Sequence, residues 1–562
     1  MRAIKKYSVL AGLLLPAMGF AQQRDNEGSG ITQEVITIGN RDIKLRDAYR
    51  ISGQPQLFDT AIVKSNVKYE IKPAQIATKY AVDTIEAANL RIVEPLPKLY
   101  HFYVKGGVGM YTSPIGELYY NSLRSRKGVF GFGAKHYSSA GGVNGVLSNG
   151  AFSQNQAQMW GKTFLGKHGL IGGVSYDRNT NYFYGYDKSL VIPGTENGFK
   201  KDSIQQRFET ISGDLKFESY YDNLKKLNHV TELSYYNLSD HYRTAEQNIK
   251  FGLGLSKAIN NELFGLRVAV DNNHVKFGDT LVARRNNAIF NFSPSVTTSK
   301  EKYKLKVGLS VFGQAEKSTK FYFFPEAEFN YYLVDNVIMP YAGVSGSVQR
   351  NSFRSASTVN PYINSNLNLL NSIEKYKVYA GIRGNFSASS SFNLAVSQSK
   401  VEQLQMFVND TLGYRNRFDA IYDNASITHL TGELSFHLSQ KFQLLTKAEY
   451  FIYKLDSLPR AFNLPTAKLT VNGKYNLVDK LYITADFFVE SNRFAWVPQL
   501  DNTYQLVNLG EIVDLNLGVE YRYTKRLSAF LNFNNLAAQK YQKYYRYNVQ
   551  GLNVFGGFTF SF

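Results

Sequence analysis

The chain contains no cysteine among its 562 residues, so disulfides contribute nothing to its stability and no thiol is present to carry a lipid anchor. It is also poor in proline (14) and tryptophan (2). Long apolar runs are missing: beyond Tyr7–Phe20 nothing approaches the roughly 18–20 apolar residues that a membrane-spanning helix needs. The formal net charge is +19, but Lys and Arg are scattered and form no dense block. That spread argues against nucleic-acid binding and for a wet, polar lining with turns facing anionic lipid. Catalytic signatures are missing as well. There is no G-x-S-x-G, H-E-x-x-H, phosphate-cradling P-loop or EF-hand. Of the eight histidines, His429 and His437 are too far apart on one strand to share a metal. Ser239-Asp240-His241 reads as a polar loop. No enzyme activity, cofactor or metal is expected.

What is abundant is Tyr (40), Phe (39) and Gly (44). Aromatic girdles and small residues at bends are what a membrane β-barrel uses. The mean hydropathy of −0.29 is compatible with that. A barrel strand turns only every second side chain toward lipid.

Residues 1–21 read as a signal peptide. Arg2, Lys5 and Lys6 precede the apolar Tyr7–Phe20, and Gly19-Phe20-Ala21 offers a small-x-small cleavage site before Gln22. Residues 22–99 are polar and irregular, with Pro55, Pro73, Pro95 and Pro97. They are expected to form a short periplasmic extension, and Glu94–Tyr100 a stiff lead into the first strand.

From Tyr100 to Phe562 the pattern is strand and turn without a convincing amphipathic helix. Val513, Leu515, Leu517, Val519 and Tyr521 alternate with Asp514, Asn516, Gly518, Glu520 and Arg522. Tyr303–Phe312 and Ala467–Asn476 alternate in the same way. A two-residue period puts each set on one face of a sheet. Many segments run ten residues or more, as tilted membrane strands of about 9–11 residues require. Soluble strands average about 5–6.

The expected fold is an all-β transmembrane antiparallel barrel of about 22 strands. They start near residues 100, 116, 129, 155, 168, 206, 229, 246, 262, 288, 303, 320, 337, 376, 391, 426, 442, 466, 480, 512, 527 and 549. Connections after even strands are tight, such as Leu165–Lys167 and Thr524–Arg526. Those after odd strands are mostly longer, such as Phe353–Lys375, Val408–Ala425, Asn492–Glu511 and Leu536–Asn548. The connection near Ser113 is the clear exception. Short periplasmic turns and longer extracellular loops give this parity, with both termini periplasmic in the outer membrane of a Gram-negative cell.

Two sets of residues stand out. Phe558, Phe560 and Phe562 share a face with Leu552 and Val554 on the last strand, which resembles the signal read by outer-membrane assembly machinery. Arg267, Asp271, Arg383, Glu433, Lys468, Lys474, Asp486, Glu490, Asp514, Glu520 and Arg522 fall on the polar faces and are candidates for the lumen lining. The Gly106–Gly109 run lies inside a strand and reads as close backbone packing at a bend.

The strand count, with Leu527–Leu536 followed by Gly551–Phe562, resembles the end of TonB-dependent receptors. The Glu94–Lys127 stretch resembles a group of Bacteroidota outer-membrane proteins of TonB-dependent-receptor type. The resemblance implies a plug of well over a hundred residues, whereas residues 22–99 are too few and lack a compact pattern. Thr32–Ile38 is either a TonB-contact segment or a strand that pairs with a partner. Three functions follow. The first is a plugless scaffold or translocation-associated subunit, with periplasmic or lipoprotein partners held through residues 22–99. The second is a TonB-coupled importer with a reduced plug, and the third a passive porin. In the first reading the wide lumen is filled by the extension, by inward-folded loops or by a partner.

Overall fold

The computed structural model describes residues 99–562, apart from 124, 144–145, 147–149, 192–200, 279–283, 335–336, 412, 439–440, 500 and 502. The expected signal peptide 1–21 and the expected extension up to residue 98, with its Thr32–Ile38 run, lie outside the described residues.

Alternation carries the chain into antiparallel strands from Phe102 onward. They are β1 (Phe102–Gly109), β2 (Ser113–Asn121), β3 (Gly128–Ser139), β4 (Phe152–Leu165), β5 (His168–Tyr182), β6 (Gln205–Ser219), β7 (Asn228–Asp240) and β8 (Ala245–Ile259). Next come β9 (Glu262–Lys276), β10 (Arg285–Ser299), β11 (Tyr303–Ala315), β12 (Thr319–Tyr331), β13 (Ile338–Gln349), β14 (Ser372–Ser387), β15 (Ser390–Asn409) and β16 (Phe418–Leu438). The last are β17 (Phe442–Leu455), β18 (Ala467–Leu477), β19 (Leu481–Pro498), β20 (Tyr504–Arg522), β21 (Leu527–Asn534), β22 (Gln542–Tyr544), β23 (Tyr547–Asn548) and β24 (Asn553–Ser561). β22 and β23 form a small separate hairpin. The others make one 22-stranded sheet that closes on itself, because β1 pairs with both β2 and β24.

The closing seam explains the glycines. Gly107 stands opposite Gly557 across it. A Cβ on Gly557 would fall 2.2 Å from the Gly106 carbonyl oxygen, and one on Gly107 would fall 2.8 Å from the Phe530 ring. The last residue completes the ladder. Phe562 and Phe102 exchange both backbone hydrogen bonds, at 2.9 and 3.0 Å, and their rings stack 4.8 Å apart.

The barrel strands begin within four residues of the expected starts, except two. β16 begins at Phe418 instead of 426, and β20 at Tyr504 instead of 512. Both extensions lie beyond bulges, between Val401 and Leu404 on β15 and between Glu490 and Arg493 on β19. A bulge inserts a residue and reverses the alternation, so the two-residue period read from the ladder below stops there. Two further corrections concern the loops. Glu316–Ser318 is as tight as Met110–Thr112 and His241–Thr244 is one residue longer, so more than one odd connection is short. The β13–β14 loop carries one short helix, α1 (Phe353–Val359).

The outer wall exposes large apolar side chains, among them Val174, Ile211, Val307, Phe321, Phe323 and Leu394. The inner wall carries buried Asn248, Asn273, Ser293, Ser310 and Asn330. This is the inverse of a soluble fold, whose apolar residues gather inside.

Candidate functional site at the long-loop mouth

Three long loops fold inward at one end and meet. The first follows β5, the second (residues 350–371) follows β13, and the third (535–552) follows β21. Strands β6–β13 separate the first from the second, and β14–β21 the second from the third. β24 with β1–β5 separates the third from the first, so the loops arrive from well-spaced points around the ring. Each contributes a tyrosine to the junction. Tyr362 stacks on Tyr547 at 3.7 Å, Tyr184 lies 4.9 Å from Tyr547, and Tyr184 lies 5.9 Å from Tyr362. Gly185 makes room, since a Cβ there would come 2.5 Å from the Tyr547 ring.

Hydrogen bonds tie the junction together. The Tyr544 hydroxyl donates to the Val359 carbonyl at 2.6 Å, and Tyr184 donates to the Asn548 carbonyl at 2.9 Å. Tyr547 donates to the carbonyl of Asn416, in the loop after β15, and Asn416 donates its amide to the Phe183 carbonyl. Arg546 pairs with Asp187 at 3.0 Å. Around this sit buried Phe208, Leu238, Val275, Phe353, Ile363, Leu369 and Phe418. The result is a packed lid with its own apolar core. Burial holds the phenols of Tyr184, Tyr362 and Tyr547 above their ordinary range, so they remain neutral donors.

The 350–371 loop is pinned to the wall by charge. Arg350 donates to the Asp271 carboxylate at 2.9 Å, to the Asp271 carbonyl at 2.7 Å and to the Asn287 side chain at 2.7 Å. Fully buried Glu246 accepts the backbone N–H groups of Phe353 (3.0 Å) and Arg354 (2.7 Å) and the amide of Asn273 (2.9 Å). An acceptor fits there because the first N–H groups of a helix have no internal partner. Ser352 and Ser355 complete a capping box. Asp240 accepts from Thr244, Gln206 and Ser365, so in the Ser239-Asp240-His241 stretch the carboxylate holds the lid.

In the loop after β15, Arg417 donates its backbone N–H to Asp410 at 3.3 Å. Burial pushes the Asp410 carboxyl up to about 7; the Arg417 backbone offsets part of that rise, and nearby Asp419 adds to it.

The eleven candidate lining residues lie in separate groups and do not converge on one site. Asp271 takes Arg350 and Lys250, while Arg267 stands between Gly254 and Ser293. Arg383 donates to Asn330 at 2.8 Å and covers the Tyr341 ring. Glu433 pairs with Lys447, which also pairs with Glu449 at 3.2 Å. Lys468 stands opposite Glu449 and Glu490, and Glu490 pairs with Arg493. Lys474 stands opposite Thr484, and Asp486 accepts from Asn472. Asp514 accepts from Tyr541 at 2.8 Å, and Arg522 pairs with Glu520 and donates to Tyr482. Phe558, Phe560 and Phe562 are exposed on the outer wall beside the seam.

The lid residues Glu246, Arg350, Tyr184, Tyr362, Tyr544 and Tyr547 are not among those that strand alternation singles out. Aromatic-dense loops were the available signal: Tyr182–Tyr186 holds three tyrosines and Tyr544–Tyr547 another three.

No family model matches the chain, and no curated protein matches it. Solved structures do resemble it. The FrpB iron transporter from Neisseria meningitidis superposes with a TM-score of 0.63 at 11% identity, over 83% of this chain and 82% of that one. The siderophore receptor PirA from Acinetobacter baumannii gives 0.61 at 10% identity, over 84% and 81%. The pyoverdine receptor FpvA from Pseudomonas aeruginosa, bound to pyoverdine, gives 0.57 at 13% identity, over 84% and 79%. At such identities the likeness is one of fold: a closed 22-stranded antiparallel barrel.

Proposed function

We propose that this chain is an integral outer-membrane barrel of TonB-dependent-receptor type, acting without a plug domain as a non-enzymatic scaffold or translocation-associated subunit of an envelope complex. Both termini face the periplasm, and residues 22–99 engage periplasmic or lipoprotein partners. The observation that carries this reading is the Tyr184–Tyr362–Tyr547 junction. A barrel whose own loops meet across its mouth is a poor passive pore. The lining supports the same view: Lys306–Glu326, Lys447–Glu433 and Lys216–Glu218 pair charges of both signs instead of presenting one sign to a solute at those positions.

A TonB-coupled importer is the second reading, favoured by neighbours that are siderophore receptors and an iron transporter. Affinity purification from membranes in mild detergent separates the two. Stoichiometric partners, with pure barrel leaving a lipid bilayer electrically silent, are the expected result. A partner-free barrel whose deletion abolishes growth on one chelated nutrient would replace the first reading with the second. Steady single-channel current from the pure protein would remove both in favour of a porin.

A further inference from the structure

The outer wall carries a groove of about 420 Å³ across β3–β6. Its centre is one row of paired residues: Phe130 opposite Gly161, Gly161 opposite Gly172, and Gly172 opposite Leu215. Two adjacent glycines thus leave a trough between the Phe130 and Leu215 side chains. The next row toward the short-turn end places Leu170 opposite Phe217. Immediately beyond it comes a polar cluster that is out of place on an apolar wall. His168 and His229 stack 5.1 Å apart and share a hydrogen bond of 3.1 Å. The other ring nitrogen of His168 meets the Tyr221 hydroxyl at 3.2 Å. Phe217 packs against both imidazoles, at 5.3 and 4.9 Å. The short turns below add exposed Arg126, Lys127, Lys167, Lys225 and Lys226 against the single acid Asp222.

We infer that this groove holds one anionic glycerophospholipid of the periplasmic leaflet, an inference that rests on the outer-membrane reading above. An acyl chain lies in the glycine trough, where dispersion contacts replace the loose packing of bulk lipid. The phosphate accepts from the one N–H or O–H that the His229–His168–Tyr221 chain leaves free at its end, both His168 nitrogens being taken within the chain, and the turn cations supply the complementary charge. A bare apolar wall binds lipid without preference. A trough that ends in a hydrogen-bond donor and a cationic rim selects both chain and headgroup.

The test is native mass spectrometry of the full chain released from phosphatidylcholine nanodiscs containing a minor fraction of phosphatidylglycerol. Wild type is expected to retain one phosphatidylglycerol. Gly161→Leu should lose it: a Cβ at Gly161 finds nothing nearer than 3.8 Å, so leucine fills the trough without strain. His229→Ala should reduce retention several-fold, whereas Val378→Ala, on the outer wall of β14, should not change it. A heat-modifiable barrel in the disc that retains no phosphatidylglycerol overturns the lipid site alone. So does equal retention by wild type and Gly161→Leu. A chain that never enters the disc overturns the membrane reading itself.

Discussion

Tyr362 and Tyr547 stack with centroids 3.7 Å apart and planes 23° from parallel, although strands β14–β21 lie between their loops. Such a stack contributes about 0.5–1.5 kcal/mol beyond the area it buries. Here it joins loops that share no strand ladder, so truncating one ring should release the lid while leaving the wall intact. The natural absence of cysteine makes this measurable. Ala356 is fully buried in the lid, and Ala356→Cys should be inert to a maleimide in the folded barrel. Adding Tyr547→Ala should make it react quickly, whereas Tyr547→Phe, which keeps the ring stack and loses the hydroxyl's bonds to Asn416 and the Gly185 backbone, should leave it slow. Equal rates in all three would mean that the tyrosines do not hold the mouth closed.

Glu246 is the second fastening. Glu246→Ala strands the N–H groups of Phe353 and Arg354 in a buried setting, at a cost of about 1–3 kcal/mol. Ser352→Ala, which breaks the capping box, should cost about 1 kcal/mol. Limited proteolysis of the assembled barrel is the readout. Cleavage between residues 350 and 371 should rise strongly for Glu246→Ala and modestly for Ser352→Ala, with the strands still protected. General unfolding in place of local cleavage would show that Glu246 supports the wall itself.

Asp410 makes the lid pH-dependent. In a released loop its carboxyl titrates near ~3.9, whereas in the packed loop burial raises it to about 7. The packed state therefore keeps a proton that the released state gives up between those values. Closure is strongest in acid, weakens as pH rises from about 4 toward 7, and is constant above that. Hydrogen exchange of residues 410–417, corrected for intrinsic rates, should be faster at pH 8 than at pH 5.5. Asp410→Asn should flatten the difference. A wild-type loop equally protected at both values would contradict the assignment.

The barrel was largely legible in the sequence, and its lid was not. A two-residue period and the alternation of tight and long connections are local properties, readable a dozen residues at a time, and they located β5, β9, β11, β17 and β21 at their first residue. Bulges ended that legibility at Val401 and Glu490, because the faces exchange there. The lid depends on contacts such as Tyr184 with Asn548, 364 residues apart, which no local pattern encodes. Lining residues such as Glu433 and Arg522 were visible as polar members of alternating strands. Their partners on the neighbouring strands, Lys447 and Tyr482, follow only from register.

Closure of the ring itself rests on small residues at one seam. A methyl group on Gly557 would sit 2.2 Å from the Gly106 carbonyl oxygen, 2.6 Å from Gly107 Cα and 2.8 Å from the Phe530 ring. Backbone on the neighbouring strand cannot give way without breaking the β1–β24 ladder that shuts the barrel. Gly106, one residue along on β1, has nothing within 4 Å of its Cβ position. Gly557→Ala should therefore prevent the compact, boiling-sensitive band of an assembled barrel, whereas Gly106→Ala should assemble normally. Phe562→Ala should fall between them, losing the stack on Phe102 while keeping the backbone bonds. The comparison needs only cell envelopes and a gel run with and without boiling. If Gly557→Ala and Gly106→Ala assembled equally well, the seam would be soft, and closure would have to depend on the ladder's hydrogen bonds in place of its fit.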